Sequence, residues 1–157
     1  MIVYLDEAGI NNDDVYAYGW APEGERLYAE KPGERTQRIS IIGALNNNNF
    51  IAPLVFEGYT NQDVFIVYLE KVLIPVLQEG QVVVMDNAAF HKGIIIRQKI
   101  EAAGCFLKYL PTYSPDFNPI EHHWHSKKNS LRKNLTRCDY DLLQAAGLTF
   151  EIIGQVQ

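Results

Sequence analysis

The sequence predicts an α/β fold in which helices flank a mixed five-stranded sheet. Short apolar runs of strand length come first along the chain, separated by turn-forming residues. Apolar residues at helical spacing then alternate with two further strand-length runs. A meander of strands followed by alternating helices and strands is typical of a mixed sheet, here with three antiparallel strands and then two parallel ones.

Strand-length segments fill the first third of the chain. Their predicted bounds are residues 2–5, 15–20, 26–29, 38–45 and 50–56. The first segment ends at the acidic pair Asp6 and Glu7. The next two form a small hairpin around a turn at residues 22–24. The last two flank four consecutive asparagines, residues 46–49, which favours a second antiparallel hairpin.

The middle of the chain changes to helical spacing. Residues 61–77 form an amphipathic helix in this prediction, with Asn61 as N-cap and Gly80 as the stop after a disturbance at Pro75. Residues 82–85 are a solid apolar run that suits a strand buried on both faces. That strand ends at Asp86.

The last third repeats this alternation. A helix at residues 93–103 is closed by Gly104, and a strand follows at residues 106–110. After a loop at residues 111–119, Asn118 caps a helix that has Pro119 at its first position and runs to about residue 135. A final helix is expected to begin at Asp139.

Length and composition fit one domain in the cytoplasm. The chain has 157 residues, 47% of them hydrophobic, which is enough for a single core. It has no apolar run near the roughly 18 residues of a membrane span, and no signal-peptide pattern at its start. Its two cysteines lack CxxC spacing and fit reduced thiols. We expect no membrane contact.

Charge is unevenly distributed along the chain. A net charge of −5 argues against a protein that coats nucleic acid, but not against an enzyme that approaches phosphate through bound cations. Between residues 122 and 137, five residues are basic and none is acidic. A solvated helix face explains this segment, and contact with a DNA backbone is the alternative. The candidates for that contact are Lys127, Lys128, Arg132 and Lys133.

Two aspartates occupy the same kind of position in the predicted sheet. Asp6 and Asp86 each follow an apolar strand, and those two strands are expected to be parallel neighbours. Their carboxylates would then lie side by side and repel each other unless a cation lay between them. Oxygen ligands of this kind suit Mg²⁺. Taken singly, each aspartate could equally be a turn former.

Glu121 supplies a third carboxylate in the first turn of its helix. A structural explanation competes here, because Asn118 and Glu121 have the spacing of a capping box. Together with Asp6 and Asp86, however, Glu121 completes a site for two metal ions of the kind that cleaves phosphodiester bonds.

Two long motifs carry a family resemblance. The segments VVVMDNAAFH at residues 82–91 and LPTYSPDFNPIE at residues 110–121, with Trp124, resemble the core of mariner-superfamily transposases, in the bacterial insertion-sequence branch. Shorter segments at residues 5–7, 19–22 and 42–45 match in the same order. Between Asp86 and Glu121 lie 34 residues, the spacing for which this superfamily is known. The resemblance covers residues 2–137.

This resemblance implies a ribonuclease-H-like fold and a DDE triad of Asp6, Asp86 and Glu121. It implies Mg²⁺ or Mn²⁺, as two ions, and a cut-and-paste reaction in which the freed 3′-hydroxyl attacks target DNA. Implied partners are transposon ends, target DNA, a second copy of the chain, and an upstream helix-turn-helix polypeptide. The implied location is the bacterial nucleoid. Residues 1–137 would form the catalytic domain, residues 138–157 a helical tail packed on it, and the helix-turn-helix domain of the family would be absent from this chain.

Residues beside the triad are candidates for supporting roles. Asn87, His91 and Asn118 lie within the matched motifs, where they could orient a phosphate or water, and Glu7 is a candidate outer-shell carboxylate. For His91, a local hydrogen bond across the turn is an equal alternative. Trp124 is interpreted as a packing residue. The histidines at positions 122, 123 and 125 do not form an HExxH motif, which argues against zinc.

Three interpretations remain open at this point. The first is an intact strand-transfer domain. The second is an inactive remnant, or one half of a split-frame enzyme, which would bind DNA weakly. The third is another ribonuclease-H-like nuclease, which the Asp86–Glu121 spacing disfavours. We also expect that the chain alone has no strong DNA sequence preference, because phosphate contacts carry no sequence information.

Overall fold

A computed structural model describes residues 1–11, 37–138 and 141–151 of the chain. Its sheet has five strands in the spatial order β3-β2-β1-β4-β5. The strands are β1 (Ile2–Asn11), β2 (Arg38–Asn46), β3 (Asn49–Glu57), β4 (Val82–Met85) and β5 (Phe106–Tyr109). The first three pair antiparallel, whereas β4 pairs parallel with β1 and β5 parallel with β4. The predicted mixed sheet is confirmed. The hairpin predicted at residues 15–20 and 26–29 lies outside the described residues.

Four α-helices flank the sheet in the described part of the chain. They are α1 (Gln62–Tyr68), α2 (Ile94–Ala102), α3 (Ile120–Arg137) and α4 (Leu142–Phe150). Short 3-10 turns at Ala89–His91 and Pro115–Phe117 precede α2 and α3. None of these described helices has the length and apolar character needed to cross a membrane.

The central strand β1 is longer than its sequence predicts. An end at residue 5 is wrong, because β1 stays paired with β2 as far as Asn11. Only its first part has a parallel neighbour, since the pairing with β4 ends where Tyr4 lies opposite Val84. Continuing that register by two residues places Asp6 opposite Asp86. Asp6 is therefore a mid-strand residue that lies just beyond the end of β4.

The two faces of the sheet pack against different helices. Side chains alternate along β1, so that Val3 and Leu5 face one side while Ala8 and Ile10 face the other. The first face packs on α1 and α2. The second packs on α3 and α4, where Trp124, Leu131, Leu135, Ala145 and Phe150 are buried. Helix α4 therefore forms part of this second core.

Other boundaries differ from the prediction for local reasons. The helix expected at residues 61–77 is not continuous: α1 passes into a π-helical turn at Leu69–Leu73 and a 3-10 turn at Ile74–Val76. Pro75 has no N–H to donate within a regular helix. At its start Asn61 is the predicted cap, with its side chain accepting from the N–H of Val64 at 2.9 Å. The last helix begins at Leu142 rather than Asp139, because Asp141 caps it by accepting from Gln144 N–H.

Candidate active site

One cleft contains the three predicted carboxylates. Its volume is about 380 Å³, and it opens where β4 and β5 end and α3 begins. Asp6 comes from the middle of β1, Asp86 from the end of β4, and Glu121 from the first turn of α3. The remaining lining residues are Asn87, Ala88, Asn118 and residues 110–115. Residues 110–115 were not predicted as part of a site.

Asp6 is buried and is held by a tryptophan. Its side chain is only 8% exposed, and Oδ2 accepts a hydrogen bond of 2.9 Å from Nε1 of Trp124 on α3. Burial and the nearby charge of Glu7 raise the pKa of Asp6 to about 7, with a smaller contribution from Glu121. The sequence predicts only a packing role for Trp124, and its hydrogen bond to Asp6 is a further role. A buried indole N–H needs a hydrogen-bond acceptor, and the carboxylates predicted for the same site could have supplied one. This was the only sequence feature that could have indicated the contact.

Asp86 is held by the His91 ring and by the backbone N–H of Ala88. Its Oδ1 lies 2.6 Å from Nδ1 of His91 and accepts the N–H of Ala88 at 3.0 Å. The same Nδ1 also lies 3.3 Å from the backbone carbonyl oxygen of Asp86, which is the local contact across the turn that the sequence left open for His91. The side-chain contacts both fall on Oδ1 and leave Oδ2 for a ligand in the cleft. The hydrogen bond from His91 is the main reason that the pKa of Asp86 is lowered. Asn87, beside it, lies 3.5 Å from Thr112 Oγ1 through its amide nitrogen.

His91 bridges Asp86 to Glu7. The ring is completely buried, and its Nε2 lies 2.6 Å from Oε1 of Glu7 on β1. Burial opposes a charge on the ring, but the hydrogen bonds to Asp86 and Glu7 outweigh it and raise the pKa of His91 to about 9. Burial raises the pKa of Glu7 despite this partner. His91 is not among the residues that line the cleft.

Glu121 does not form the expected capping box. The backbone N–H of Asn118, which such a glutamate would bind, donates instead to the carbonyl oxygen of Pro115 at 2.9 Å. Asn118 itself is buried and accepts from Ile120 N–H at 3.4 Å, which fits its predicted capping role although the helix begins one residue later than expected. The side chain of Glu121 is exposed. Its carboxylate is thus available to the cleft.

The four basic candidates for DNA contact are not equivalent. Lys127 is half-buried, donates to the carbonyl oxygen of Thr149 at 3.5 Å and lies over the rings of Phe50 and Phe150. It therefore joins α3 to α4 instead of facing solvent freely. Lys128, Arg132 and Lys133 lie further along α3, and the side chains of Arg132 and Lys133 are exposed.

The donor set of the cleft suits a hard divalent cation. It consists of carboxylate oxygens, and burial, with a smaller contribution from the nearby charge of Glu7, raises the pKa of Asp6, which a bound cation would offset. In the present conformation, no three His, Cys, Asp or Glu side chains of the described residues are close enough to enclose an ion. Of the three carboxylates, that of Glu121 on the first turn of α3 belongs to an exposed residue.

A protein-family model matches most of the chain. The model described as DDE superfamily endonuclease matches residues 1–143. The chain belongs to the DDE superfamily of endonucleases. Comparison with curated protein sequences gave no match. Family membership confirms the predicted class of enzyme, a DDE-type nuclease.

Solved structures confirm the ribonuclease-H-like fold. The Mos1 strand transfer complex aligns with a TM-score of 0.63 and 19% identity, over 82% of this chain and 40% of that chain. A Mos1 mariner paired end complex with Mn has a TM-score of 0.59 and 18% identity, over 83% and 42%. A simian T-cell lymphotropic virus intasome has a TM-score of 0.64 and 10% identity, over 99% and 49%.

This chain covers less than half of each of those protein chains. At these identities the likeness concerns the fold. The bacterial insertion-sequence branch and the division into residues 1–137 and 138–157 stay predictions.

Proposed function

We propose that this chain is the catalytic domain of a DNA transposase that cleaves a phosphodiester bond and transfers the freed strand to target DNA. Asp6, Asp86 and Glu121 would hold two divalent ions, Mg²⁺ or Mn²⁺. The observation that carries this proposal is that three separate parts of the chain each bring one carboxylate to the same cleft. The family match and the Mn-containing Mos1 complex support it.

The two aspartates are arranged to present one oxygen each. Trp124 holds Oδ2 of Asp6, and His91 with Ala88 holds Oδ1 of Asp86, so the second oxygen of each carboxylate remains for a cation. Divalent ions bound there supply activation of the attacking water or hydroxyl and stabilise the leaving oxygen. The protein fixes where the phosphate must lie, because the aspartates cannot turn without losing these bonds. Glu121 completes the set from the opposite wall.

Asn87 and Asn118 support the cleft in different ways. Asn87 is half-buried in the cleft wall, where its amide can donate to a phosphate oxygen. Asn118 holds the start of α3 through its contact with Ile120 N–H and thereby sets the position of Glu121. Asn87 is thus a candidate substrate contact, and Asn118 a positioning residue.

The DNA backbone is proposed to follow one flank of α3 away from the cleft. Lys128 and Arg132 follow Glu121 by seven and eleven residues, which are near-multiples of the helical repeat, so all three share this flank. The flank extends about 16 Å beyond Glu121 at ~1.5 Å per residue. Arg132 is held in place by a 3.0 Å bond to Asn129. Lys133 lies on another side of the helix.

Salt dependence tests this path. In the double variant Lys128→Gln/Arg132→Gln, the slope of log affinity for duplex DNA against log salt should fall by roughly 0.9 for each lost phosphate contact. Lys133→Gln removes a charge from the same helix on a different side and serves as the matched control. A change in slope for Lys133→Gln about half that of the double variant, and so equal per charge removed, would mean that overall charge, and not this flank, guides DNA.

Plasmid nicking tests the catalytic proposal. The wild-type chain is incubated with supercoiled DNA and Mn²⁺ beside Asp86→Asn and the control Asp63→Asn, an exposed aspartate at the start of α1. We expect nicking by the wild type and by Asp63→Asn only. If the wild type does not nick, the inactive-remnant interpretation replaces ours. If Asp86→Asn nicks as well as the wild type, the cleft is not the active site.

Transposition requires partners beyond the isolated domain. We propose that these are transposon ends and target DNA, with two copies of the chain pairing the ends and a helix-turn-helix polypeptide supplying sequence recognition. The isolated chain should then bind unrelated duplexes with similar affinity. Protection of one particular terminal sequence by the isolated chain at physiological salt would contradict the proposal that a separate polypeptide supplies sequence recognition.

A further inference from the structure

Glu7 and His91 contact Asp86 from outside the cleft, and substrate binding does not explain them. The imidazole lies between two carboxylates, 2.6 Å from each. Its surroundings are apolar, since the rings of Phe65 and Phe90 each lie with their centres 4.5 Å from it. A polar ring buried among aromatic side chains is stabilised chiefly by its two acidic partners, so its orientation is fixed by them.

The backbone around His91 is also held in place. The hydroxyl of Tyr109, at the end of β5, donates to the carbonyl oxygen of His91 at 2.8 Å. The ring therefore cannot follow the side chain of Asp86 if that side chain turns. The side chain of Asp86 is half-exposed, so its contacts from Oδ1 to His91 and Ala88 are what limit the direction of its second oxygen.

We propose that Glu7 and His91 are positioning residues that fix the Asp86 carboxylate for divalent-metal binding, with Glu7 acting through His91. This inference rests on the proposed function and adds a role for residues that never reach the substrate. Glu7 accepts from the far nitrogen of the ring and keeps the near nitrogen aimed at Asp86. It thereby links a central strand of the sheet to the metal site from the face opposite Asp6.

Mn²⁺ binding by the full chain, measured from the electron paramagnetic resonance of free Mn²⁺, tests the proposal. Two variants separate positioning from packing. Glu7→Gln/His91→Phe keeps an aromatic ring among Phe65 and Phe90 but removes the donor to Asp86. Glu7→Gln/His91→Asn loses the ring but keeps an amide donor near the Nδ1 position. Thermal melting is recorded for both.

We expect the phenylalanine variant to bind Mn²⁺ about 10–100-fold more weakly than wild type, as is usual when a partner of a metal ligand is lost. The asparagine variant should bind within a few-fold of wild type although it melts at a lower temperature. The opposite order, in which the phenylalanine variant binds normally and the asparagine variant does not, overturns the proposal in favour of a purely structural ring.

The variant Asp86→Asn distinguishes a failure of the proposed metal site from a failure of the proposed positioning role. If the wild type binds Mn²⁺ and Asp86→Asn does not, the metal site stands and the two double variants decide on the positioning role alone. If the wild type binds no Mn²⁺, or Asp86→Asn binds as tightly, the proposed metal site fails and the positioning role falls with it.

Discussion

Asp6 and Glu7 are neighbours in the sequence, yet they lie on opposite faces of the sheet and the protein treats their charges differently. Asp6 faces α3 and receives one neutral donor, Trp124, while its pKa rises to about 7. Glu7 faces the other side and is bound by His91 at 2.6 Å. Burial is common to both. The difference within this pair is that Glu7 is bound by the His91 ring, whereas Asp6 accepts a hydrogen bond from the neutral indole of Trp124.

Replacing Asp6 by asparagine should give the largest effect. Nicking in Mn²⁺ should fall by roughly 10³-fold or more, because several kcal/mol of transition-state stabilisation depend on the bound ions. Glu7→Gln, measured beside it in the same plasmid assay, should lose much less because it acts through two other residues. A loss of nicking with Glu7→Gln as large as that with Asp6→Asn would contradict the supporting role proposed for Glu7.

The same substitution should stabilise the metal-free protein. Because the pKa of Asp6 is raised from 3.8 to about 7, the favourable contribution of its protonated form to stability is present at low pH and is lost as pH rises through about 7. Asp6→Asn mimics the protonated form. Its gain in the free energy of unfolding should grow from near zero around pH 4 to about 2–4 kcal/mol at pH 8.

Urea unfolding in a chelator across this pH range measures that gain. As a control, Mn²⁺ is added at pH 8. It should raise the free energy of unfolding of the wild type but not that of Asp6→Asn. A gain that does not vary with pH would show that the charge of Asp6 is not what costs stability.

Removing the donor on the α3 face should have an intermediate effect. Trp124→Phe keeps an aromatic ring beside Phe50 but leaves Oδ2 of Asp6 without its partner, which should cost about 1–3 kcal/mol of stability. Nicking should also fall, since Asp6 is then free to turn. Phe50→Leu alters the same packing without touching the hydrogen bond. If it matches Trp124→Phe in both measurements, packing alone explains the tryptophan.

The smallest effect is expected at Tyr68, on the face of Glu7. Its hydroxyl is buried and has no hydrogen-bond partner among the described residues. Tyr68→Phe should therefore leave nicking unchanged and be neutral or stabilising by up to about 1 kcal/mol in urea unfolding. A clear loss of activity would mean that this hydroxyl belongs to the positioning contacts of His91.

The sequence predicted the sheet well because its signals are local. Apolar runs, the asparagine turn and the Asn61 cap each depend on a few consecutive residues. Asn47 and Asn48 adopt positive φ angles of 49° and 62° in the two-residue turn between β2 and β3, as asparagine tolerates. The cleft was predicted from the positions of Asp86 and Glu121, each at the end or start of an element.

What the sequence could not predict depends on contacts between distant residues. The end of β1 is set by its antiparallel partner β2, so the apolar run at its start was a poor guide. The bond from Trp124 to Asp6 joins residues that are 118 positions apart, and that from His91 to Glu7 joins residues 84 apart. Local patterns also suggested a capping box for Glu121, which Pro115 prevents by accepting the N–H of Asn118.

The bond between Trp124 and Asp6 also fixes the rotation of α3 about its own axis. Trp124 follows Glu121 by three residues, so the two side chains project from adjacent turns with a fixed angular offset. A helix docked with its phase wrong by a single residue would turn by about 100°, breaking the indole contact and carrying Glu121 away from the cleft. The rotation that docks Trp124 on Asp6 is therefore also the rotation that brings the third carboxylate, Glu121, to the cleft.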